Sequence, residues 1–364
     1  MRIVCVEYLH AVAEVFFGAS LSMQREAALM LSALVEDFGR IQGSSVRVLL
    51  GDGVPRPFVE HDRIHSVTVR DATDLRVQLQ HQCSTADVVL LLAPECQSIL
   101  TETLAVIEQH PPLEAILLNL DAGLSAVFSD KQATHDWLKK HGLPAIPTKL
   151  ISGEIREGLL HQSISDEAML RPPADHRENA TESQKFIIKP RYGVGSEDVR
   201  LITSLTLRWD DLPESDADSS FIIQPFVEGI ACSVGFLGGG THRLPTILPA
   251  AEQLIASDGQ TLRYTGGRVP ADSHVQQAVT ALARRIAAAL GHFRGYTGVD
   301  LIVGTDGNVQ IVEVNPRLCT SYIGYRAVTK ENLARRMLEP SDISIQWMPR
   351  SVQFSSDRLP DGVD

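Results

Sequence analysis

Residues 297–317 have the sequence TGVDLIVGTDGNVQIVEVNPR, in which two apolar runs flank a polar turn. Asp306-Gly307 is among the strongest signals for a two-residue turn, because both positions tolerate positive φ. A loop made of these two residues predicts a β-hairpin whose strands cover 299–303 and 309–314. The pairing of the two strands then fixes which side chains face each other across the hairpin.

Three oxygen-bearing side chains lie on one face of the predicted hairpin. Asp300 falls opposite Glu313, with Cβ atoms roughly 5 Å apart, and Asn315 lies on the same face because side chains alternate along a strand. Facing carboxylates repel unless a cation lies between them, and hard oxygen ligands favour Mg²⁺, with Mn²⁺ as a substitute. Arg317 follows as a rigid cationic group. The alternative is two solvated carboxylates on an exposed face. Four apolar residues are expected to face a core: Val299, Leu301, Val312 and Val314.

Two lysines upstream of the hairpin are candidates for binding phosphate. Lys189 ends an apolar strand in FIIKPRYGVGS (186–196), where Gly193 and Gly195 provide a backbone that phosphate can approach closely. The alternative is a glycine-bearing hairpin with a surface lysine. Lys131 lies at the predicted start of a helix, which favours anions, or it is an ordinary exposed lysine.

The segment FIIQPFVEG (221–229) has a proline directly after an apolar run. Pro225 ends the strand and leaves backbone groups that an adenine edge can bond. Gln224 can donate or accept through its amide, and Glu228 can accept hydrogen bonds from ribose hydroxyls. Taken alone, an ordinary strand-exit turn is the simpler interpretation.

The first third of the chain alternates between strands and helices, which is typical of a small, mostly parallel α/β domain. Strands are predicted at 3–6, 46–50, 88–92 and 115–118, and helices at 22–38 and 97–109. No GxGxxG follows the first strand, so the dinucleotide fingerprint is absent. The predicted units are an N-terminal α/β domain over 1–120, a small lid subdomain with a helical linker over 121–220, a larger subdomain with the metal site over 221–340, and a tail over 341–364.

The composition favours a globular protein of a reducing cytoplasm. A formal net charge of −12 over 364 residues argues against nucleic acid and anionic membranes as partners. The five cysteines form no CxxC pair, and neither a signal peptide nor a run of about 18 apolar residues is present. Small molecules are the expected partners, and the residues leave open whether the chain is a monomer or a homodimer.

In their order along the chain, these segments resemble the ATP-grasp superfamily. The motifs that carry the resemblance are SDKxxT (129–134), GLPxxPT (142–148), IKPxxGxGS (188–196), QPFVEG (224–229), GxDLI (298–302) and EVNPR (313–317). Each motif is weak, whereas the ordered set is strong and covers residues 121–335. The resemblance implies an ATP-grasp fold of α/β and α+β character, preceded by a small Rossmann-like parallel α/β domain.

The resemblance also implies roles for individual residues. Phosphates are held by Lys131 and Lys189 beneath a glycine loop that includes Gly193, Gly195 and Ser196. The adenosine of ATP is lined by Gln224, Phe226, Val227 and Glu228. One or two Mg²⁺ ions are held by Asp300, Glu313 and Asn315.

Within the superfamily, the chain is similar to tyramine–glutamate ligases of methanofuran biosynthesis. The similar stretches are LMLSALVEDF (29–38), YTGGRVP (264–270), GYTGVDLI (295–302) and NPRLCTSYIG (315–324). This likeness implies that ATP converts a carboxylate, the γ-carboxylate of glutamate, into an acyl phosphate that an aromatic amine then captures. Cys319, where a threonine is expected, and the polar insertion at 153–184 are departures, so tyrosine or another aromatic amine stays open beside tyramine.

Further side chains near these motifs are candidates for catalysis or substrate contact. The candidate clamps for γ-phosphate or substrate carboxylate are Arg317, Arg268 and Arg263, and the candidates for substrate contact are Thr320, Ser321 and Tyr322. Three alternatives remain: an ATP-grasp ligase for other amino acids, an ATP-grasp kinase or phosphotransferase, and a non-catalytic nucleotide-binding module. A ligase releases ADP and phosphate only when carboxylate and amine are both present, which separates it from a kinase.

Overall fold

The computed structural model describes residues 1–109, 115–151, 185–193, 198–203 and 221–356. Its N-terminal part is a five-stranded parallel sheet in the order β3-β2-β1-β4-β5. The strands are β1 (Arg2–Glu7), β2 (Ser45–Gly51), β3 (Ile64–Val69), β4 (Val88–Leu92) and β5 (Ile116–Leu117). The helices are α1 (Tyr8–Ala11), α2 (Ala13–Gly18), α3 (Leu21–Gly39), α4 (Ala72–Cys83) and α5 (Ile99–Gln109), with a short 3₁₀ turn at Cys96–Ser98.

The central strand of this sheet explains why its sequence is a continuous apolar run. Side chains 3–6 of β1 are at most 1% exposed, because helices cover both faces of a parallel sheet. The predicted parallel α/β unit is confirmed. The strand β3 and the helix α4 were not predicted, because the sequence of β3, IHSVTV, alternates too weakly to stand out.

Two antiparallel sheets follow the helices α6 (Ala122–Ser129) and α7 (Lys131–Lys140). The smaller sheet has the order β6-β9-β7-β8, formed by β6 (Lys149–Leu150), β7 (Lys185–Pro190), β8 (Arg200–Thr203) and β9 (Phe221–Pro225). The larger has the order β15-β14-β10-β12-β13-β16, with β11 beside β10. Its strands are β10 (Gly229–Leu237), β11 (Thr246–Ile247), β12 (Ala251–Ser257), β13 (Leu262–Val269), β14 (Tyr296–Gly304), β15 (Val309–Asn315) and β16 (Val352–Ser355).

Three helices accompany the larger sheet: α8 (Ser273–Leu290), α9 (Ser321–Ala327) and α10 (Leu333–Leu338). The buried positions of α8 recur at helical spacing, which packs one face of the helix against the sheet; they include Val275, Val279, Leu282, Ile286 and Leu290. No helix in the described ranges is long and apolar enough to cross a membrane. The polar segment 153–184 lies outside the described residues, so its predicted role as an insertion stays a prediction.

The N-terminal sheet and the C-terminal helices share one hydrophobic core. Ile3 and Leu34 belong to the same cluster of buried side chains as Tyr325 and Phe354. Phe354 is 2% exposed and lies on β16, which pairs with β13. The stretch predicted as a tail therefore adds an edge strand to the larger sheet, where its one large buried side chain holds it.

A buried polar network crosses this shared core. The Tyr322 hydroxyl donates to the Asp37 carboxylate at 2.6 Å, and Arg326 Nε donates to the same carboxylate at 2.8 Å. Arg326 also bonds Glu36 at 3.0 Å. Because Asp37 lies on α3 and its partners lie on α9, the network fixes the helix that follows the hairpin of β14 and β15.

Replacing Arg326 with methionine is expected to lower the free energy of unfolding by about 3 kcal/mol, because one partner of a buried ion pair is lost. Burial already raises the pKa of Asp37, and Arg326 is the largest opposing influence. A carboxyl whose folded pKa lies above its unfolded value destabilises the fold only while ionised. The loss should therefore be larger at about pH 8 than at about pH 5, as measured by chemical denaturation.

The matched control is Arg335→Met on the next helix. The Arg335 side chain is 63% exposed and pairs with Glu339 at 3.0 Å, so its loss is expected to cost less than about 1 kcal/mol. Equal losses of unfolding free energy in the two variants would show that Arg326 does not stabilise Asp37 as described. A loss for Arg326→Met that does not vary with pH would show the same.

Candidate active site

A cavity of about 250 Å³ is lined by residues from both antiparallel sheets. The smaller sheet contributes Lys189 and Gln224, and the larger sheet contributes Asp300 and Glu313. The chain passes directly from β9 of one sheet to β10 of the other through residues 226–228. The segment after Pro225, which the sequence indicated as a strand exit, is therefore the connection between the two walls of the cavity.

The predicted hairpin is present as β14 and β15, and the pairing of Asp300 with Glu313 is confirmed. Its loop is longer than predicted. Gly304 N donates to Asn308 O at 2.8 Å and Gly307 N donates to Gly304 O at 2.9 Å, which closes a loop of Thr305, Asp306 and Gly307. Gly307 has φ +79°, as expected where a three-residue hairpin loop ends in a left-handed residue.

A β-bulge in β15 compensates for the longer loop. Below Asp300 the register shifts, so that Leu301 pairs with Ile311 and Val312 is the additional residue. Val312 consequently lines the cavity, and the prediction that it faces the core is wrong. Ile311, 1% exposed, occupies that core position, beside the correctly predicted Val299, Leu301 and Val314.

Glu313 is the point at which the two predicted phosphate-binding lysines meet. Lys189 Nζ lies 3.0 Å and Lys131 Nζ 3.8 Å from Glu313 Oε2. Lys131 also donates to the carbonyl oxygen of Gly193 at 3.0 Å, which ties the helix start to the glycine loop. Burial by itself raises the pKa of Glu313, but Lys189 and then Lys131 outweigh it, so the pKa is lowered and the carboxylate stays ionised.

Asp300 has a different electrostatic environment. Its two oxygens accept hydrogen bonds from Gln253 Nε2 at 2.9 Å and from Asn315 Nδ2 at 3.0 Å. Burial, followed by repulsion from Glu313, raises the pKa of Asp300. A buried carboxylate with amide partners and a second carboxylate beside it favours a cation, since a nearby positive charge stabilises its ionised form.

Arg317 extends this charged cluster toward the N-terminal sheet. Arg317 Nε donates to the Glu95 carboxylate at 3.0 Å, and one of its terminal nitrogens donates to Leu318 O at 3.1 Å. Glu95 is 4% exposed and follows β4. Sequence patterns did not identify it, although polar residues just beyond the carboxyl end of a parallel strand are common ligand-contacting positions.

A second acid missed by the sequence is Glu26 on α3. It lines the cavity and accepts a hydrogen bond from the Thr320 hydroxyl. Glu26 sits three residues after Met23 and four before Met30, on a face that was predicted to be apolar. A charged residue on an otherwise apolar helix face was the sequence feature that could have identified Glu26 as a site residue.

The predicted adenosine-binding residues are only partly brought to the cavity. Gln224, Phe226 and Val227 line it, whereas Glu228 is exposed and is not among the lining residues. Gln224 Nε2 donates to Thr148 Oγ1 at 2.8 Å, which orients the amide. Gly193 lines the cavity, and Gly195 and Ser196 lie outside the described residues.

A family profile described as the ATP-grasp domain matches residues 128–321. The chain belongs to the ATP-grasp family. A second profile, the pre ATP-grasp 3 domain, matches residues 45–119 within the N-terminal sheet. The resemblance to ATP-grasp enzymes and the predicted fold are both confirmed, because the profiles match in the predicted order and the sheets have the expected arrangement.

Individual relatives agree with this assignment. This ATP-grasp chain is 23% identical over 320 residues, covering 86% of each sequence, to a tyramine–L-glutamate ligase of Methanocaldococcus fervens. It is similar in structure to an ATP-grasp superfamily protein from Archaeoglobus fulgidus, with a TM-score of 0.66 at 19% identity, covering 97% of this chain and 91% of the other. It is also similar to an L-amino acid ligase from Bacillus licheniformis, with a TM-score of 0.65 at 14% identity, covering 97% and 79%. At these identities the two structures support the fold.

Other predicted residues of this ATP-grasp enzyme differ in where they lie. Thr320 and Ser321 line the cavity, whereas Tyr322 is fully buried against Asp37 and outside it. Arg268 pairs with Glu252 and Asp272. Arg263 is exposed on β13. Neither arginine is among the lining residues, so of the three arginines only Arg317 reaches the lysines and the carboxylate pair.

Proposed function

We propose that the chain is an ATP- and Mg²⁺-dependent ligase that joins a carboxylate to an amine through an acyl phosphate. The observation that carries the proposal is the meeting of Lys131 and Lys189 at Glu313, with Asp300 and Arg317 in the walls of the same cavity. Cations and carboxylates placed together in this way suit a triphosphate with its metal ion.

The residues of the hairpin fit a magnesium ion. Asp300, Glu313 and Asn315 supply hard oxygen donors, and burial together with repulsion from Glu313 raises the pKa of Asp300, which a bound cation would offset. Two carboxylates and one amide leave the remaining positions around such an ion to substrate phosphates and water. When bound, Mg²⁺ would neutralise phosphate charge and make the γ-phosphorus more electrophilic.

The side chains of the cavity explain how the nucleotide would be held. Lys131 and Lys189, whose amino groups converge on Glu313, donate to the phosphates. Gln224, Phe226 and Val227 surround the base at the connection between the sheets. This placement leaves the γ-phosphate near Arg317, on the side of the N-terminal sheet.

The chemistry then consists of two displacements. A carboxylate oxygen of the first substrate attacks the γ-phosphorus, the bond to the β-phosphate oxygen breaks, and ADP leaves. The amine nitrogen next attacks the carbonyl carbon, the carbon–oxygen bond to phosphate breaks, and phosphate leaves as protons pass to phosphate and solvent. Lys189 and Arg317 stabilise the negative charge that develops on the transferred group and hold it in place, which is the main contribution a protein makes to such transfers.

For the substrates, we propose the γ-carboxylate of glutamate and an aromatic amine, in methanofuran-type one-carbon cofactor biosynthesis. The support is the relative of Methanocaldococcus fervens, a tyramine–L-glutamate ligase that this chain matches over most of its length.

The test is the coupling of ADP and phosphate release to both substrates. With glutamate and tyramine we expect ADP and phosphate in equal amounts, and little of either when one substrate is left out. With glutamate and hydroxylamine we expect a hydroxamate, because hydroxylamine captures an acyl phosphate. ADP formed without phosphate, together with a stable phosphorylated product, would establish a kinase instead. Release that is independent of the amine would remove the ligase proposal.

A further inference from the structure

A second, smaller cavity of about 50 Å³ lies at the carboxyl ends of β1 and β4. The strand order 3-2-1-4-5 reverses direction between these two neighbouring strands, which makes this the topological switch point where open α/β sheets bind ligands. Its walls include Glu7 at the end of β1, Leu92 and Pro94 at the end of β4, and Met23 and Met30 of α3.

This smaller cavity adjoins the ATP cavity, because Glu26 and Arg317 line both. A molecule in the smaller cavity therefore has one end beside Arg317, next to the proposed position of the γ-phosphate. The opposite end lies among the apolar side chains of the N-terminal sheet and α3.

The charges at the junction of the two cavities, where Glu26 and Arg317 line both, favour a cationic ligand. Arg317 is the only cation among the described residues that line the smaller cavity, and Glu95 already pairs with it at 3.0 Å. The Glu7 carboxylate is occupied by its own neighbours, since it accepts hydrogen bonds from Leu9 N at 3.2 Å and His10 N at 2.8 Å. Glu26 accepts one hydrogen bond, from the Thr320 hydroxyl, and lines both cavities, so it is the carboxylate best placed there to accept a further hydrogen bond from a ligand.

We infer that the smaller cavity holds the acceptor amine, with its ammonium group on Glu26 and its apolar body between Met23, Met30 and Leu92. The inference rests on the proposed function and names the substrate class of its second step: a primary amine with an apolar or aromatic body and no carboxylate. If the acceptor amine also had a carboxylate group, that group would lie beside Glu26 and Glu95. The described lining residues include no unpaired cation that could bind it. Tyramine is therefore favoured over tyrosine.

The test compares amine-dependent amide formation with hydroxylamine capture in two variants. Glu26→Gln removes the charge at similar size, and Ala27→Leu fills the cavity from the same helix; Ala27 is 5% exposed and lines it. Each is expected to raise the KM for tyramine by about tenfold or more. Hydroxamate formation from glutamate and hydroxylamine should stay within about twofold, because hydroxylamine is too small to need the cavity.

Glu102→Gln is the matched control, as Glu102 is exposed on α5 and outside both cavities; its KM for tyramine should be unchanged. An unchanged KM in both test variants would overturn the inference while leaving the ligase proposal intact. If Glu26→Gln lowered hydroxamate and amide formation equally, Glu26 would act in carboxylate activation and the inference would be overturned. A preference for tyrosine over tyramine as acceptor would overturn it as well. Absence of hydroxamate in the unaltered enzyme would remove the proposed function and this inference with it.

Discussion

Asp300→Asn is expected to lower kcat by on the order of a hundredfold or more, because it removes one of two carboxylates that would hold Mg²⁺ at the phosphates. The side chain keeps its size, and it faces Gln253 and Asn315 at 2.9 and 3.0 Å, partners that an amide can also bond. The measurement is ADP release with glutamate and tyramine over a range of Mg²⁺ concentrations. Both a lower kcat and a higher Mg²⁺ requirement are expected.

The same hairpin offers a matched control. Asp306→Asn makes an identical chemical change in the loop, where Asp306 accepts from Asn308 N at 3.0 Å and does not line the cavity. Activity is expected to stay within about twofold. Equal losses of activity in Asp300→Asn and Asp306→Asn would show that the effect comes from folding of the hairpin. Full activity of Asp300→Asn at low Mg²⁺ would show that Asp300 is not a metal ligand.

The facing of Asp300 and Glu313 was predicted correctly although the turn was not. The three-residue loop shifts the register by one residue, and the bulge at Val312 shifts it back before Glu313 is reached. Without the bulge, a one-residue slip would turn the side chains of β15 to the opposite face. A bulge has no dependable local signal, so the pairing deduced from a two-residue loop is correct at Asp300 and Glu313 because these two shifts cancel.

Contacts between distant parts of the chain lay beyond what local patterns can show. Arg317 and Glu95 are 222 residues apart, and Thr320 and Glu26 are 294 apart. Spacing and periodicity describe neighbours on one helix or hairpin. They indicated which residue types could bind phosphate and metal, but the acids supplied by the N-terminal sheet became visible only once that sheet was packed against the hairpin.

The three candidate arginines illustrate the same limit. Arg263 and Arg268 lie near glycines, as residues that approach phosphate often do, and Arg317 follows the hairpin, so all three were candidates from local sequence. Packing distinguishes them: Arg268 is held by Glu252 and Asp272, Arg263 is exposed, and Arg317 lies in the cavity wall. We therefore expect Arg317 to matter more for activity than Arg263 or Arg268.

Arg317→Gln is expected to lower kcat by on the order of a hundredfold, because Arg317 is the only arginine among the described residues that line the cavity and its guanidinium can stabilise charge on the transferred phosphoryl group. Arg263→Gln should leave kcat within about twofold. Arg268→Gln should likewise keep its activity, although it loses two ion pairs. The measurement is steady-state ADP release for all three variants, with denaturant unfolding of each as the check on folding.

A fourth variant separates charge stabilisation from structural support. Arg317→Gln leaves Glu95, 4% exposed, without its cation, and part of any loss could come from that buried charge. Glu95→Gln breaks the same ion pair and keeps the guanidinium. If Arg317 acts on the substrate, Glu95→Gln loses stability but retains most of its kcat, while Arg317→Gln loses both. Equal losses of kcat in these two variants would make Arg317 a positioning residue, and a larger loss in Arg268→Gln would move the anion site to β13.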